Sequence, residues 1–146
     1  MTLNQPKAAR KTRPLTFASE IPTQKLSEFW SRLEKGELCA SKCSKCGYTS
    51  FPPVADCPRC LNSEPKWVKL DGTGEIESFT RIAIKPASFA GQATYTVVLV
   101  KMKEGVRVLA WLNDAKPDDV KVGARVSLVT GISEYGPSYA FTLRPE

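Results

Sequence analysis

Two Cys-x-x-Cys pairs constrain this chain more than any other feature. They are Cys43-Ser44-Lys45-Cys46 and Cys57-Pro58-Arg59-Cys60, joined by a short link containing Phe51-Pro52-Pro53. Each pair fits a tight turn, and together they supply four thiolates within reach of one tetrahedral ion, the ligand set of a structural zinc ribbon. Gly47 follows the first pair where such a turn takes a positive φ, and Pro58 sits inside the second. Two disulfides, or a redox-active Cys-x-x-Cys, are the competing readings. Disulfides belong to oxidising compartments, and the N-terminus shows no apolar signal segment. A redox pair normally occurs once, opening a helix of a βαβ unit, and no such pattern surrounds these pairs. The spacing therefore predicts Cys43, Cys46, Cys57 and Cys60 as ligands of one structural zinc ion. Iron fits the same thiolates with similar geometry. A closed four-thiolate shell leaves no open position for a reacting water. Cys39, the fifth cysteine, lies outside the paired pattern and is expected to be a small apolar strand residue.

At 146 residues the chain has room for one ordinary domain, or two small ones stapled by a metal. Its net charge of +6 suggests nucleic acid until it is partitioned. Residues 1–13 hold Lys7, Arg10, Lys11 and Arg13 and no acidic group, leaving 17 basic and 15 acidic residues in the remainder. A zinc–tetrathiolate centre carries a net charge of about −2 and brings that remainder close to neutral. The basic excess is thus in a tail, and the body lacks the field that nonspecific nucleic-acid binding needs. There is no histidine, which removes Ser-His-Asp triads, His general bases and His-ligated catalytic metals together. The longest apolar run, Tyr95 to Val100, is too short to span a bilayer, and a soluble cytoplasmic protein is expected.

Residues 1–22 are polar, basic and broken by Pro6, Pro14 and Pro22, and are expected to be an arm without stable structure of its own, whose Leu15 and Phe17 could dock on a partner. Residues 23–35 predict an amphipathic helix, with Thr23 as N-cap and Gly36 at the C′ position. Leu26, Phe29, Trp30 and Leu33 fall on one stripe, and Glu28 can pair with Arg32. That stripe faces either the chain's own core or a partner. Residues 36–65 form the ribbon, and residues 66–146 change to strands. Strands are expected over Glu75–Ile84, Thr94–Met102, Val106–Leu112, Arg125–Glu134 and Tyr139–Leu143. Turns are expected at Lys103-Glu104-Gly105 and at Tyr135 to Ser138, and one helical turn at Pro117 to Val120. Five short strands with a helical turn between the third and fourth suit a Greek-key barrel of the OB type, with an SH3-like barrel as its rival.

The order of these parts resembles a family. A helix with Phe29-Trp30, Leu33, Gly36 and Leu38 precedes the ribbon. Gly72, Gly74 and Ser78-Phe79-Thr80 open the strand region, and Pro117-Asp118-Asp119-Val120-Lys121-Val122-Gly123 precedes the fourth strand. Over residues 23–143 this is similar to the zinc-ribbon OB-fold proteins associated with acyl-CoA metabolism. The resemblance implies a mainly β chain, a rubredoxin-like zinc ribbon followed by a five-stranded OB barrel. It also implies a non-catalytic scaffolding subunit that binds acyl-CoA and joins a thiolase-family enzyme, in archaea together with HMG-CoA synthase.

A site for CoA needs cations for its phosphates, an apolar patch and close backbone approach. Arg81 and Lys85, with the small-residue loop Pro86 to Thr94, are the candidate CoA contacts, and Phe29 and Trp30 the candidate partner-docking residues. The alternative is a nucleic-acid-binding module, which requires basic and aromatic residues interleaved on the strands. Arg81, Lys101, Arg107 and Arg125 are scattered instead. An independent enzyme is the third class. No nucleophile elbow, P-loop or histidine supports it.

Overall fold

In the computed structural model, which describes residues 24–89, 91, 93–133 and 135–145, a 3-10 turn over Gln24–Leu26 runs into helix α1, Ser27–Glu34. The basic arm, with Leu15 and Phe17, and the Thr23 cap lie outside the described residues. At the other end of α1, Gly36 donates to the Leu33 carbonyl at 3.0 Å and Glu37 to Arg32 at 2.9 Å, the paired bonds of a Schellman cap. Glu28 and Arg32 pair on the polar face at 2.6 Å.

The ribbon sheet contains β1 (Cys39–Cys43), β2 (Thr49–Ser50) and β3 (Pro65–Lys69), in the order β2-β1-β3. β3 pairs with β1 from Cys39↔Lys69 to Cys43↔Pro65, so this strand crosses the ribbon–barrel boundary expected at residue 66.

The remaining strands are β4 (Thr73–Ile82), β5 (Tyr95–Met102), β6 (Arg107–Asn113), β7 (Arg125–Ser133) and β8 (Gly136–Leu143). They close in the order β4-β5-β6-β8-β7, with β6 and β8 parallel and β4 returning to β7. This Greek-key closure is the OB topology and sets the SH3-like rival aside. A 3-10 turn at Pro117–Asp119 leads to buried Val120 between β6 and β7. Alternation in β6 turns Val108, Ala110 and Leu112 inward. Gly74 is required where β4 crosses β5, since a Cβ there would lie 2.6 Å from Val100 Cγ1 and 2.7 Å from the Lys101 carbonyl.

The β7–β8 hairpin departs from the local sequence pattern in two places. Ile132 is 78% exposed although it continues the inward alternation of Val126 and Leu128. The ladder runs on to Ser133↔Gly136, and Pro137 pairs with Ile132 inside a strand where a turn was expected. β8 meets β6 only at Leu112↔Phe141 and Asn113↔Thr142, so Pro137 has one neighbouring strand and sits at an edge, where its missing N–H is tolerated.

One apolar cluster joins all three parts. Phe29 and Leu33 of α1, Cys39, Ala40 and Phe51 of the ribbon, and Ile76, Val98, Val126 and Phe141 of the barrel belong to it. No helix among the described residues is long and apolar enough to cross a membrane.

Candidate metal centre

β1 ends on Cys43, and the chain turns immediately. The Cys43 amide donates to the Tyr48 carbonyl at 2.8 Å, and Gly47 donates back to Cys43 at 3.0 Å, with Gly47 at φ +73°. The second knuckle repeats this. Cys57 donates to Asn62 at 2.9 Å and Leu61 to Cys57 at 2.9 Å, with Leu61 at φ +56°. Residues 47 and 61 thus do the same backbone work. Glycine does it without strain, whereas a leucine in this region costs about 1–2 kcal/mol.

The two knuckles face each other and bring four sulfurs together. All four Sγ atoms lie within 4.8 Å of one another, with Cys43–Cys60 and Cys46–Cys57 each at 3.5 Å. These are not disulfide distances, which are about 2.05 Å. Zn–S bonds of about 2.3 Å in a tetrahedron separate sulfurs by about 3.8 Å, so the donor set fits one zinc ion. Asn62 bridges the knuckles, donating to Ser44 Oγ at 3.0 Å and toward Cys43 Sγ at 3.8 Å. Arg59 lies 4.7 Å from the centre of the Tyr48 ring and spans them on the outside.

The backbone tunes the sulfurs unequally. The Cys46 N–H, 3.5 Å from Cys43 Sγ, leads the hydrogen bonds that hold the Cys43 thiol down at about 6. Burial opposes ionisation of Cys57, but the N–H groups of Arg59 and Cys60 outweigh it and bring that thiol below the ordinary range. At Cys60 the Asn62 N–H favours the thiolate, yet burial and the three facing sulfurs push it up to about 12. Four adjacent thiolates repel without a cation between them, and a bound dication removes that conflict.

Cys39 is outside this cluster. It is buried at the junction of helix, ribbon and barrel, where burial pushes its thiol up and keeps it protonated.

The other candidates are dispersed. Phe29 is 1% exposed, its ring edge-on to Trp30 at 5.0 Å and to Phe51 at 5.9 Å. That placement corrects the docking expectation at Phe29, because the stripe's apolar face is spent on the chain's own core; Trp30 remains half-buried. Arg81 is exposed near the end of β4, opposite Thr96, and Lys85 is half-buried just beyond it. A separate aromatic cluster lies on the barrel's outer surface. Tyr95 stacks on Trp111 at 4.5 Å and 17°, and Phe89, from a 3-10 turn at Ala87–Phe89, meets both at 6.0 Å. Trp111 is 38% exposed. The inward alternation of its neighbours was the signal that it points outward.

Comparison with known proteins agrees with this architecture. Residues 30–65 match the ChsH2 rubredoxin-like zinc ribbon domain, and residues 67–131 match the ChsH2 C-terminal OB-fold domain. A DUF35 domain-containing scaffold protein of Methanothermobacter thermautotrophicus is 32% identical over 119 residues, 77% of this chain and 90% of that protein. A probable enoyl-CoA hydratase alpha subunit of Thermomonospora curvata is 28% identical over 127 residues, which span 85% of this chain and 40% of that subunit. Among solved structures, a chain of an Ltp2-ChsH2(DUF35) aldolase superposes with a TM-score of 0.68 at 26% identity, covering 80% of this chain and 93% of that one.

Proposed function

Because this chain belongs to the DUF35 domain-containing scaffold proteins, we propose that it is a non-catalytic subunit that assembles with a thiolase-type enzyme and helps it hold an acyl-CoA. One observation carries this reading. Among the described residues, the convergent cluster of metal-ligating side chains is four thiols arranged for a closed shell. Zinc in such a shell supplies cross-linking and no open coordination position, so the metal offers no site for reaction, and the proposal takes the bond-making groups from a partner.

That the partner is an enzyme is supported by likeness. The related solved chain belongs to an aldolase of two named components, and the related Thermomonospora curvata protein is the alpha subunit of a probable enoyl-CoA hydratase. HMG-CoA synthase as a further partner extends the same proposal. Half-buried Trp30 is the α1 residue proposed to touch the enzyme, and Arg81 and Lys85 are proposed to reach CoA held mainly by it. The complex is proposed to work in the cytoplasm, where cysteines stay reduced.

The test is affinity capture of the tagged chain from its native lysate, with the recovered proteins identified and assayed. The proposal expects a thiolase-fold enzyme whose acyl-CoA turnover is lost when this chain is removed and restored when it is added back. Recovery of ribosomal or polymerase components that survive nuclease treatment would replace it with the nucleic-acid module.

A further inference from the structure

Leu61 combines two costs that nothing within the chain offsets. It holds the left-handed φ of +56° that closes the second knuckle, and it is 81% exposed. The matching position of the first knuckle, Gly47, meets the same backbone demand without strain. Among the described residues the other non-glycine with a positive φ is Asp114, a residue type that tolerates this conformation. Ile84, Tyr135 and Ile132 are comparably exposed, but on backbone without that burden. Leu61 also stands outside the apolar cluster that joins helix, ribbon and barrel. Stability alone would therefore favour glycine or asparagine here. Strained backbone of this kind clusters at sites that bind or clamp a ligand.

The surroundings suit a protein contact. Cys39 lies in the apolar junction with the barrel and Cys43 at the other end of β1, so the knuckles stand about 13 Å out along the ribbon sheet. Asn62, bonded to Ser44 Oγ at 3.0 Å, sets Leu61 beside Ser44 and Lys45 of the first knuckle. Arg59 belongs to the same knuckle as Leu61, and its guanidinium lies over the Tyr48 ring at 4.7 Å. Lys45 and Arg59 are exposed and form no ion pair among the described residues. Asp56, the carboxylate of the same loop, is held by Lys25 at 3.3 Å, and Glu64 is exposed at the entry to β3. This end of the ribbon thus offers one protruding apolar side chain with two cations beside it.

We propose that Leu61 is a docking knob for the partner enzyme, seated in an apolar pocket whose rim carries carboxylates facing Lys45 and Arg59. The proposal rests on the enzyme-partner reading above and adds a contact at the knuckle end of the ribbon, apart from Trp30 on α1. The Leu61 backbone is fixed by the knuckle bonds before contact, so less ordering opposes the burial of its side chain. The cations contribute orientation and a salt-sensitive association rate more than affinity.

The test uses the enzyme that co-purifies with the wild-type chain, immobilised, with full-length metal-loaded variants titrated against it. Leu61→Gly and Leu61→Asn should each raise the midpoint of chemical denaturation yet weaken enzyme binding about tenfold or more, the scale of one buried leucine side chain. Leu61→Met should keep most of the affinity. Lys45→Ala with Arg59→Ala should slow association and flatten its salt dependence while metal content stays unchanged. Leu109→Ala, at another exposed leucine, should leave binding unchanged. Leu61→Gly and Leu61→Asn variants that bind as tightly as the wild type would overturn the docking site and leave the enzyme reading standing. A lowered denaturation midpoint for Leu61→Gly would also overturn it, because the leucine would then serve the fold. So would an equal loss of affinity in Leu109→Ala, the sign of nonspecific apolar contact. A wild-type chain that recovers no enzyme would remove the enzyme reading and this surface together.

Discussion

Between Cys39 and Lys69 the buried apolar groups are Ala40, Phe51, Pro53 and three of the cysteines, whereas between Thr73 and Leu143 Ile76, Val98, Val100, Met102, Val108, Val126, Leu128 and Phe141 fill a closed barrel. The ribbon has too little apolar surface to hold its own loops. Its two knuckles are tied by sulfur, one asparagine and one arginine–tyrosine contact. Among its described residues the barrel has no sulfur cluster, only exposed ion pairs such as Arg107–Glu77, and relies mainly on burial, worth about 25 cal/mol for each Å² of apolar surface removed from water. A metal and a hydrophobic core therefore do the same task in neighbouring parts of one chain. A closed four-thiolate shell leaves no open position for a reacting water, so the cluster fits a structural role.

The sharpest break of that comparison comes from the ligands. Cys43→Ser or Cys57→Ser should abolish stoichiometric metal binding and ribbon structure, while Cys39→Ala keeps the metal. Metal analysis and circular dichroism of the purified variants check this, and a Cys43→Ser protein with full metal content and unchanged melting would contradict it. Next is Phe29→Ala, expected to cost about 3–5 kcal/mol in the isolated chain because its ring is enclosed where helix, ribbon and barrel meet. Trp30→Ala should cost clearly less in thermal melting and show its effect in enzyme capture. Gly74→Ala tests the barrel's closest crossing; the overlap with Val100 and Lys101 should cost about 1–3 kcal/mol by denaturant titration.

The smallest effect compares the two knuckles with each other. Leu61 is 81% exposed at φ +56°, so its side chain contributes little packing to offset the strain. Leu61→Gly should raise stability by about 1 kcal/mol in the metal-loaded protein, and Gly47→Leu should lower it by a similar amount. Equal and opposite shifts in chemical denaturation would establish that the knuckles are equivalent in backbone geometry.

The metal cluster was legible in the sequence because cysteine spacing translates directly into reach. The barrel was legible because Val106, Val108, Ala110 and Leu112 keep a period of two. What escaped depended on tertiary context. The stripe on α1 is equally apolar whether it faces inside or outside, and only the enclosure of Phe29 by Phe51 decided its direction. Ile132 has the right period for a core residue, but the hairpin runs past the barrel wall that would have covered it. Pro137 signals a turn locally, and its tolerance as a strand residue depends on the absence of a second neighbour.

Hydrogen–deuterium exchange during chelator titration tests the division of labour most directly. Metal release, amide exchange over residues 39–69 and amide exchange in the barrel strands would be followed in the same samples. The account predicts that the ribbon amides lose protection in step with the metal while the amides of Val98, Val100, Val108 and Val126 stay slow. Metal leaving with the ribbon still protected would show that the ribbon is held without it, and the claim that sulfur ligation replaces a hydrophobic core would fall.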